Sequence, residues 1–234
     1  ITVEAVKKRV PVIAGTGGNS TAEAVELTRH AKESGADATL QVAPYYNKPT
    51  QEGLYQHFKT IADSVPLPQI LYNIPGRTSV NVLPETVARL AELPEIVGIK
   101  EASGNLPQMA EVMELAGDRI TLLAGDDNVV LPVLAIGGKG VISVIANLVP
   151  DKLAELIKLW EKGDIVGTRE AYYHLLPLCR AMFLETNPIP VKTALALTGK
   201  LKEGFRLPMT SMAPANVEKL VKVLEGYGLK RGTV

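Results

Sequence analysis

Residues 96–103 read Ile96-Val97-Gly98-Ile99-Lys100-Glu101-Ala102-Ser103, a short apolar run that ends in a lysine and a glutamate. The run predicts a strand over 96–100. Side chains alternate along a strand, so Ile96, Gly98 and Lys100 are expected on one face and Val97, Ile99 and Glu101 on the other. A strand apolar on both faces belongs to a parallel sheet covered on both sides. Similar runs lie outward at 10–16, 38–43, 69–73, 120–124 and 140–144. Between the strands lie helical patterns at about 21–34, 51–64, 84–93, 106–116 and 128–136. After the sixth strand only helices are expected, at about 150–162, 165–184, 190–197 and 215–224.

Alternating strands and helices leave two architectures, an open doubly wound sheet and a closed (β/α)8 barrel. The stretch Ala14-Gly15-Thr16-Gly17-Gly18-Asn19-Ser20 does not match the G-x-G-x-x-G turn of a dinucleotide-binding sheet. Polar groups follow the carboxyl ends of the strands, where both architectures assemble their sites. A barrel needs eight strands. On that reading the fold is a TIM barrel lacking its first two βα units, which would precede Ile1, followed by a small C-terminal helical domain. The opening Ile1–Arg9 stretch, which reads as the last turns of a helix without a start signal, fits a truncated amino end. The expected division is a barrel portion over 1–163 and a helical region over 164–234.

Composition narrows the function classes. The 234 residues carry 25 Lys+Arg against 25 Asp+Glu, only 5% aromatics, and no basic run longer than Lys7-Lys8-Arg9, which argues against a nucleic-acid partner. No apolar stretch approaches the roughly 20 residues of a membrane span, so no membrane partner is expected. No signal peptide is visible. Cys179 is the single cysteine, and His30, His57 and His174 are scattered without metal-ligand spacing. A cytoplasmic setting, no metal and no cofactor are expected.

Lys100 carries the sharpest chemical possibility. Burial disfavours an ammonium, so an inward lysine at a strand end presents a neutral amine to a carbonyl and can form a Schiff base. The alternative is a lysine that reaches water or pairs with Glu101. Tyr72 ends the preceding strand and would bring a phenol for proton transfer beside the amine. Tyr45 and Tyr46 end the strand before that, and each tyrosine also reads as a packing residue. Arg77, in the turn after Tyr72-Asn73-Ile74-Pro75-Gly76, suits a carboxylate clamp or a solvated loop. Gly125-Asp126-Asp127-Asn128 reads as a helix cap rather than a metal site, as does Asn19-Ser20-Thr21. Lys192 is expected on a surface.

With Val12–Gly17, Ala43–Pro49, Leu71–Thr78, Gly98–Gly104, Gly125–Asp127, Gly140–Val144 and Asn187–Lys192 taken in order, the whole chain resembles the dihydrodipicolinate synthase family of the pyruvate-dependent class I aldolase superfamily. The resemblance implies a (β/α)8 barrel with a helical tail. It implies a lyase that needs no cofactor, condensing pyruvate with L-aspartate 4-semialdehyde in lysine and diaminopimelate biosynthesis. It casts Lys100 as the Schiff-base lysine, Tyr72 and Tyr46 as the tyrosines of a proton relay, and Tyr46 as contributed across a subunit interface. Arg77, Gly125 and Ile142 become substrate-binding residues. Asn19, Glu23 and Tyr45 match part of an allosteric L-lysine site, for which the alternative is helix capping by Asn19 and Ser20. The family's Gly-Thr-Thr-Gly-Glu motif would lie before Ile1. A homodimer or homotetramer is implied. Two other functions stand beside this one: a 2-keto-3-deoxy sugar-acid aldolase using the same lysine, and an inactive barrel fragment.

Overall fold

The computed structural model describes residues 1–229 and 232. The first compact unit, Ile1–Ile142, runs α1 (Thr2–Val6), β1 (Ile13–Gly15), α2 (Thr21–Glu33), β2 (Ala38–Val42), α3 (Gln51–Ser64) and β3 (Gln69–Asn73). It continues with α4 (Pro75–Thr78), α5 (Pro84–Leu90), β4 (Ile96–Glu101), α6 (Leu106–Ala116), β5 (Thr121–Ala124), a 3-10 turn (Asp127–Val129), α7 (Val130–Ala135) and β6 (Gly140–Val141). The second unit, Ser143–Val234, holds a 3-10 turn (Ile145–Asn147), α8 (Pro150–Glu161), α9 (Ile165–Ala181), α10 (Ile189–Leu197) and α11 (Pro214–Gly226). The units divide before α8, whereas the sequence places the boundary after it.

All six strands are parallel and lie side by side in chain order. This is the arrangement that short βα connections produce. Helix starts are set locally. Ser20, Thr50, Asn105 and Asp164 each accept a backbone N–H of the first turn, and Pro84, Pro150 and Pro214 open helices where no N–H is needed. The core of the first unit gathers Leu54 and Phe58 of α3, Val87 and Leu90 of α5, and Met109 and Val112 of α6. These pack with Leu71, Ile99 and Leu122 of the strands, all within 1% of full burial. At roughly 1.5–3 kcal/mol for each large side chain buried, this cluster fixes the sheet against its helices.

Several expectations need correction. β1 begins at Ile13, not at residue 10, because Pro11 has no N–H to give and Val12 N donates to Asp37 Oδ2 instead (2.7 Å). β6 is two residues long, and the chain leaves the ladder after Ile142 N donates to Ala124 O (2.9 Å). The Pro75-Gly76 turn is the short helix α4, stopped by Ser79 at φ 61°. The face assignment in β4 fails for its first residue. The register shifts between Gln69 and Ile70, which pair with Ile96 and Gly98 and leave Val97 over as a bulge. Ile96 therefore joins the buried cluster with Ile99, while Val97 is 38% exposed.

Between α2 and α3, the buried His57 ring shares a hydrogen bond with Thr21 Oγ1 through Nδ1 (2.8 Å), and its Nε2 meets no partner among the described residues. Burial pushes its pKa down to about 4 from 6.5. The unfolded chain takes up this proton at a higher pH than the fold does. The neutral ring's stability is therefore complete above pH 6.5 and is lost as pH falls toward 4, a change on the order of 3 kcal/mol. Denaturant unfolding at pH 7 and pH 4.5 is expected to show a smaller acid loss in His57→Gln than in the wild type. An identical loss in both would assign it to other groups.

Candidate active site

The carboxyl ends of β3 and β4 bring two functional side chains together. In the parallel ladder Tyr72 lies opposite Lys100, and Asn73 opposite Glu101. Neighbours in register point to the same side of a sheet, and successive residues point to opposite sides. Tyr72 and Lys100 thus share one face and Asn73 and Glu101 the other. Lys100 Nζ stands 4.0 Å from the centroid of the Tyr72 ring, in cation–π contact. The amine meets the ring face rather than only the phenol oxygen, a detail that strand spacing cannot supply.

The electrostatics around Lys100 favour the neutral amine. Burial lowers the Lys100 pKa, the nearby Arg77 guanidinium lowers it further, and the buried Asp127 carboxylate opposes both. Burial raises the Tyr72 pKa, with Arg77 acting in the opposite direction. At neutral pH the phenol therefore keeps its proton, and Lys100 yields its neutral form more readily than an exposed lysine. Arg77, on α4, reaches both groups electrostatically from an exposed position. The two tendencies suit carbonyl addition by an amine with a proton donor beside it.

Gly125 is held against this centre by space. A Cβ there would lie 2.6 Å from Ala102 Cβ and 3.0 Å from Glu101 O, while its N–H donates to Glu101 O (2.7 Å). Ile142 extends the sheet from β5 through its bond to Ala124 O. Asp126 caps the 3-10 turn by accepting from Asn128 N (2.9 Å), in line with a capping role for this stretch. Asp127 was missed as a functional group. Its adjacency to a capping aspartate hides it in sequence, and only the turn that buries it brings its charge to bear on Lys100.

The other named residues form a second group. Tyr46 is 88% exposed with φ 74°, and Tyr45 is 43% exposed. Asn19 Nδ2 donates to Tyr45 O (3.2 Å) and Asn47 Nδ2 to Asn19 O (2.9 Å), which ties the loops after β1 and β2 together. Ser20 caps α2 through Glu23 N, whereas Asn19 spends its side chain on Tyr45, so the capping expected of both belongs to Ser20. Glu23 is exposed in the first turn of α2. Lys192 donates to Gly204 O and lies 4.7 Å over the Phe205 ring. Among the described residues no cluster of three or more His, Cys, Asp or Glu side chains is placed to hold a metal, and no helix is long and apolar enough to cross a membrane.

The family model described as the dihydrodipicolinate synthetase family matches residues 1–226. The 4-hydroxy-tetrahydrodipicolinate synthase of Thermodesulfovibrio yellowstonii is 62% identical over 229 residues, which cover 98% of this chain and 79% of that protein. The synthase of Syntrophus aciditrophicus is 58% identical with the same coverage. The crystal structure of dihydrodipicolinate synthase from Aquifex aeolicus superposes with a TM-score of 0.97 at 49% identity, over 99% of this chain and 79% of that one. The Acinetobacter baumannii enzyme complexed with pyruvate gives 0.95 at 45% identity, covering 97% and 78%. The Cyanidioschyzon merolae enzyme with lysine bound gives 0.91 at 42%, covering 94% and 74%. The chain, a lyase of the class I aldolase type with a helix-backed parallel half-barrel, belongs to the dihydrodipicolinate synthetase family.

Proposed function

We propose that this protein condenses pyruvate with L-aspartate 4-semialdehyde through a Schiff base at Lys100, the reaction of a 4-hydroxy-tetrahydrodipicolinate synthase. The observation that carries it is the Lys100 amine, its pKa lowered by burial, seated on the Tyr72 ring with Arg77 nearby. Lys100 Nζ adds to the pyruvate ketone, and the carbinolamine loses water as the Tyr72 phenol donates a proton to the departing hydroxyl. The iminium nitrogen accepts the electron pair released when the methyl group gives up a proton to the Tyr72 phenolate, which restores the phenol that supplies the next step. The enamine attacks the aldehyde, whose oxygen takes a proton. The amine of the second substrate then attacks the iminium carbon, closes the ring and expels Lys100.

The finer assignments rest on the family resemblance. Arg77 binds the carboxylate of the semialdehyde, Gly125 and Ile142 are substrate-binding, and the exposed Tyr46 completes the relay of a neighbouring subunit in a homodimer or homotetramer. The six strands are six of the eight of a (β/α)8 barrel, with the C-terminal helical region from residue 164. L-Lysine acts as effector at Asn19, Glu23 and Tyr45. The lysine-bound Cyanidioschyzon relative supports an effector of this chemistry, and the Asn19–Tyr45 link holds two of the three residues in one place. A cytoplasmic location follows from the biosynthetic role.

Borohydride added with pyruvate is expected to fix a reduced adduct on the Lys100 peptide; an adduct on Lys192 instead would overturn the assignment. Trapping should rise with pH through a midpoint below the ordinary lysine range. Asp127→Asn, which removes the charge that holds the ammonium, should lower that midpoint further, and an upward shift would contradict the electrostatics. In Arg77→Ala, steady-state kinetics should show a semialdehyde KM raised by about tenfold to a hundredfold, from a loss of about 1.5–3 kcal/mol, with pyruvate trapping intact. Equal damage to both steps would make Arg77 a folding residue. Lysine titrations should show inhibition that Glu23→Ala relieves at little change in uninhibited rate; unchanged sensitivity leaves Glu23 as the acidic first turn of α2.

A further inference from the structure

We infer that Glu101 is a positioning residue, the buried hub that holds the Lys100 and Tyr72 strand ends and the Arg77 loop in one register. The inference rests on the Schiff-base reading and deepens it. Glu101 is fully buried, on the face of β4 opposite Lys100. Its Oε1 accepts from Ser103 N (2.6 Å), and its Oε2 from Asn73 Nδ2 (2.9 Å) and Gln108 Nε2 (3.3 Å). These bonds tie the carboxylate to β3 one residue after Tyr72, to α6, and to the turn that follows Lys100. All three donors are neutral, so the group is held by hydrogen bonds aimed at a carboxylate.

The network does not stop at the strands. Asn73 Nδ2 also donates to Asn81 Oδ1 (2.8 Å), and Asn73 Oδ1 accepts from Val82 N (3.0 Å). Asn81 Nδ2 donates to Gln108 Oε1 (2.7 Å), and Gln108 Nε2 returns a bond to Asn81 Oδ1 (3.1 Å). Gln51 of α3 then grips the same segment, donating to Asn81 O (2.7 Å) and accepting from Leu83 N (3.1 Å). Asn81 to Leu83 is the far end of the segment that follows α4, the helix of Arg77. The Lys100 and Tyr72 strand ends are therefore fastened to one buried acceptor through Asn73, and the segment that follows α4 joins the same network through Asn81, which reaches Glu101 by way of Asn73 and Gln108. A carboxylate is needed at the hub. A glutamine there has one acceptor oxygen for three donors, and its own N–H would face a donor whichever way the amide is turned.

The two attachments predict different kinetic losses. In the full chain, Glu101→Gln should slow borohydride-trapped imine formation at Lys100 by about tenfold or more and also raise the semialdehyde KM, since a displacement near 1 Å at a reacting group costs up to about a hundredfold. Asn81→Ala, at a half-buried loop position, should raise the semialdehyde KM by a similar factor and leave the rate of pyruvate trapping within about twofold of wild type. Thermal unfolding of both variants checks that the fold remains cooperative. Should Glu101→Gln fail to fold, the Asn81→Ala split still decides. That split, with Glu101→Gln impaired in both steps where it folds, supports the inference. Trapping unchanged in folded Glu101→Gln, or equal losses of both steps in Asn81→Ala, overturns it. A wild type that traps no pyruvate overturns the Schiff-base reading, and this inference falls with it.

Discussion

The pairing of β3 with β4 is the constraint from which the site follows. Two parallel strands held in register offer pairs that alternate between the faces of the sheet. Here the last two pairs divide the labour. Tyr72 and Lys100 share one face, while Asn73 and Glu101 share the other, where buried hydrogen bonds lock the register. A slip of one residue would exchange the two pairs, placing the Lys100 amine in the layer of buried hydrogen bonds and the Glu101 carboxylate on the opposite face. The bulge at Val97 lies upstream of this pairing and shifts only the face of Ile96, so the last four pairs run without interruption.

The charges around Lys100 form a balance rather than a simple ion pair. Burial alone favours the neutral amine, Arg77 adds to that tendency, and Asp127 restrains it. In the Schiff-base reaction proposed for it, an amine that adds to a ketone and later leaves is served by a pKa that is lowered without being abolished. By contrast, the ion pairs of the chain's surface, such as Lys59–Asp63 and Arg89–Glu52, are substantially exposed, and pairs of that kind contribute roughly 0–1 kcal/mol. The electrostatics that matter here are the few that are removed from water.

The loops after β1 and β2 follow the same logic at lower cost. Asn19 and Asn47 bridge backbone carbonyls between the two loops, so Tyr45, Tyr46 and the first turn of α2 are presented from one joined surface. Those bonds use side chains that tolerate turn geometry, which is why asparagines stand at both positions. Tyr46 at positive φ carries backbone strain in the same segment.

Much of this protein is local and was legible in its sequence. The six strands, the helices between and after them, and the placement of polar residues at strand ends all follow from hydrophobic period and capping chemistry, which depend on neighbours a few residues apart. So did the choice of Lys100, Tyr72 and Arg77 as candidates, because strand alternation and turn composition need no knowledge of the rest of the chain. Tertiary structure alone decided the remainder. The bulge that returns Ile96 to the core depends on the partner strand; the seat of Lys100 on the Tyr72 ring depends on register; the influence of Asp127 on Lys100 depends on a turn that buries one aspartate and leaves its neighbour to cap. Glu101, which by sequence is only an acidic neighbour of a lysine, becomes the hub of a network because residues 73, 103 and 108 converge on it. Hydrogen bonds between residues distant in the chain have no period to betray them, so they exist only once the fold has brought their donors together.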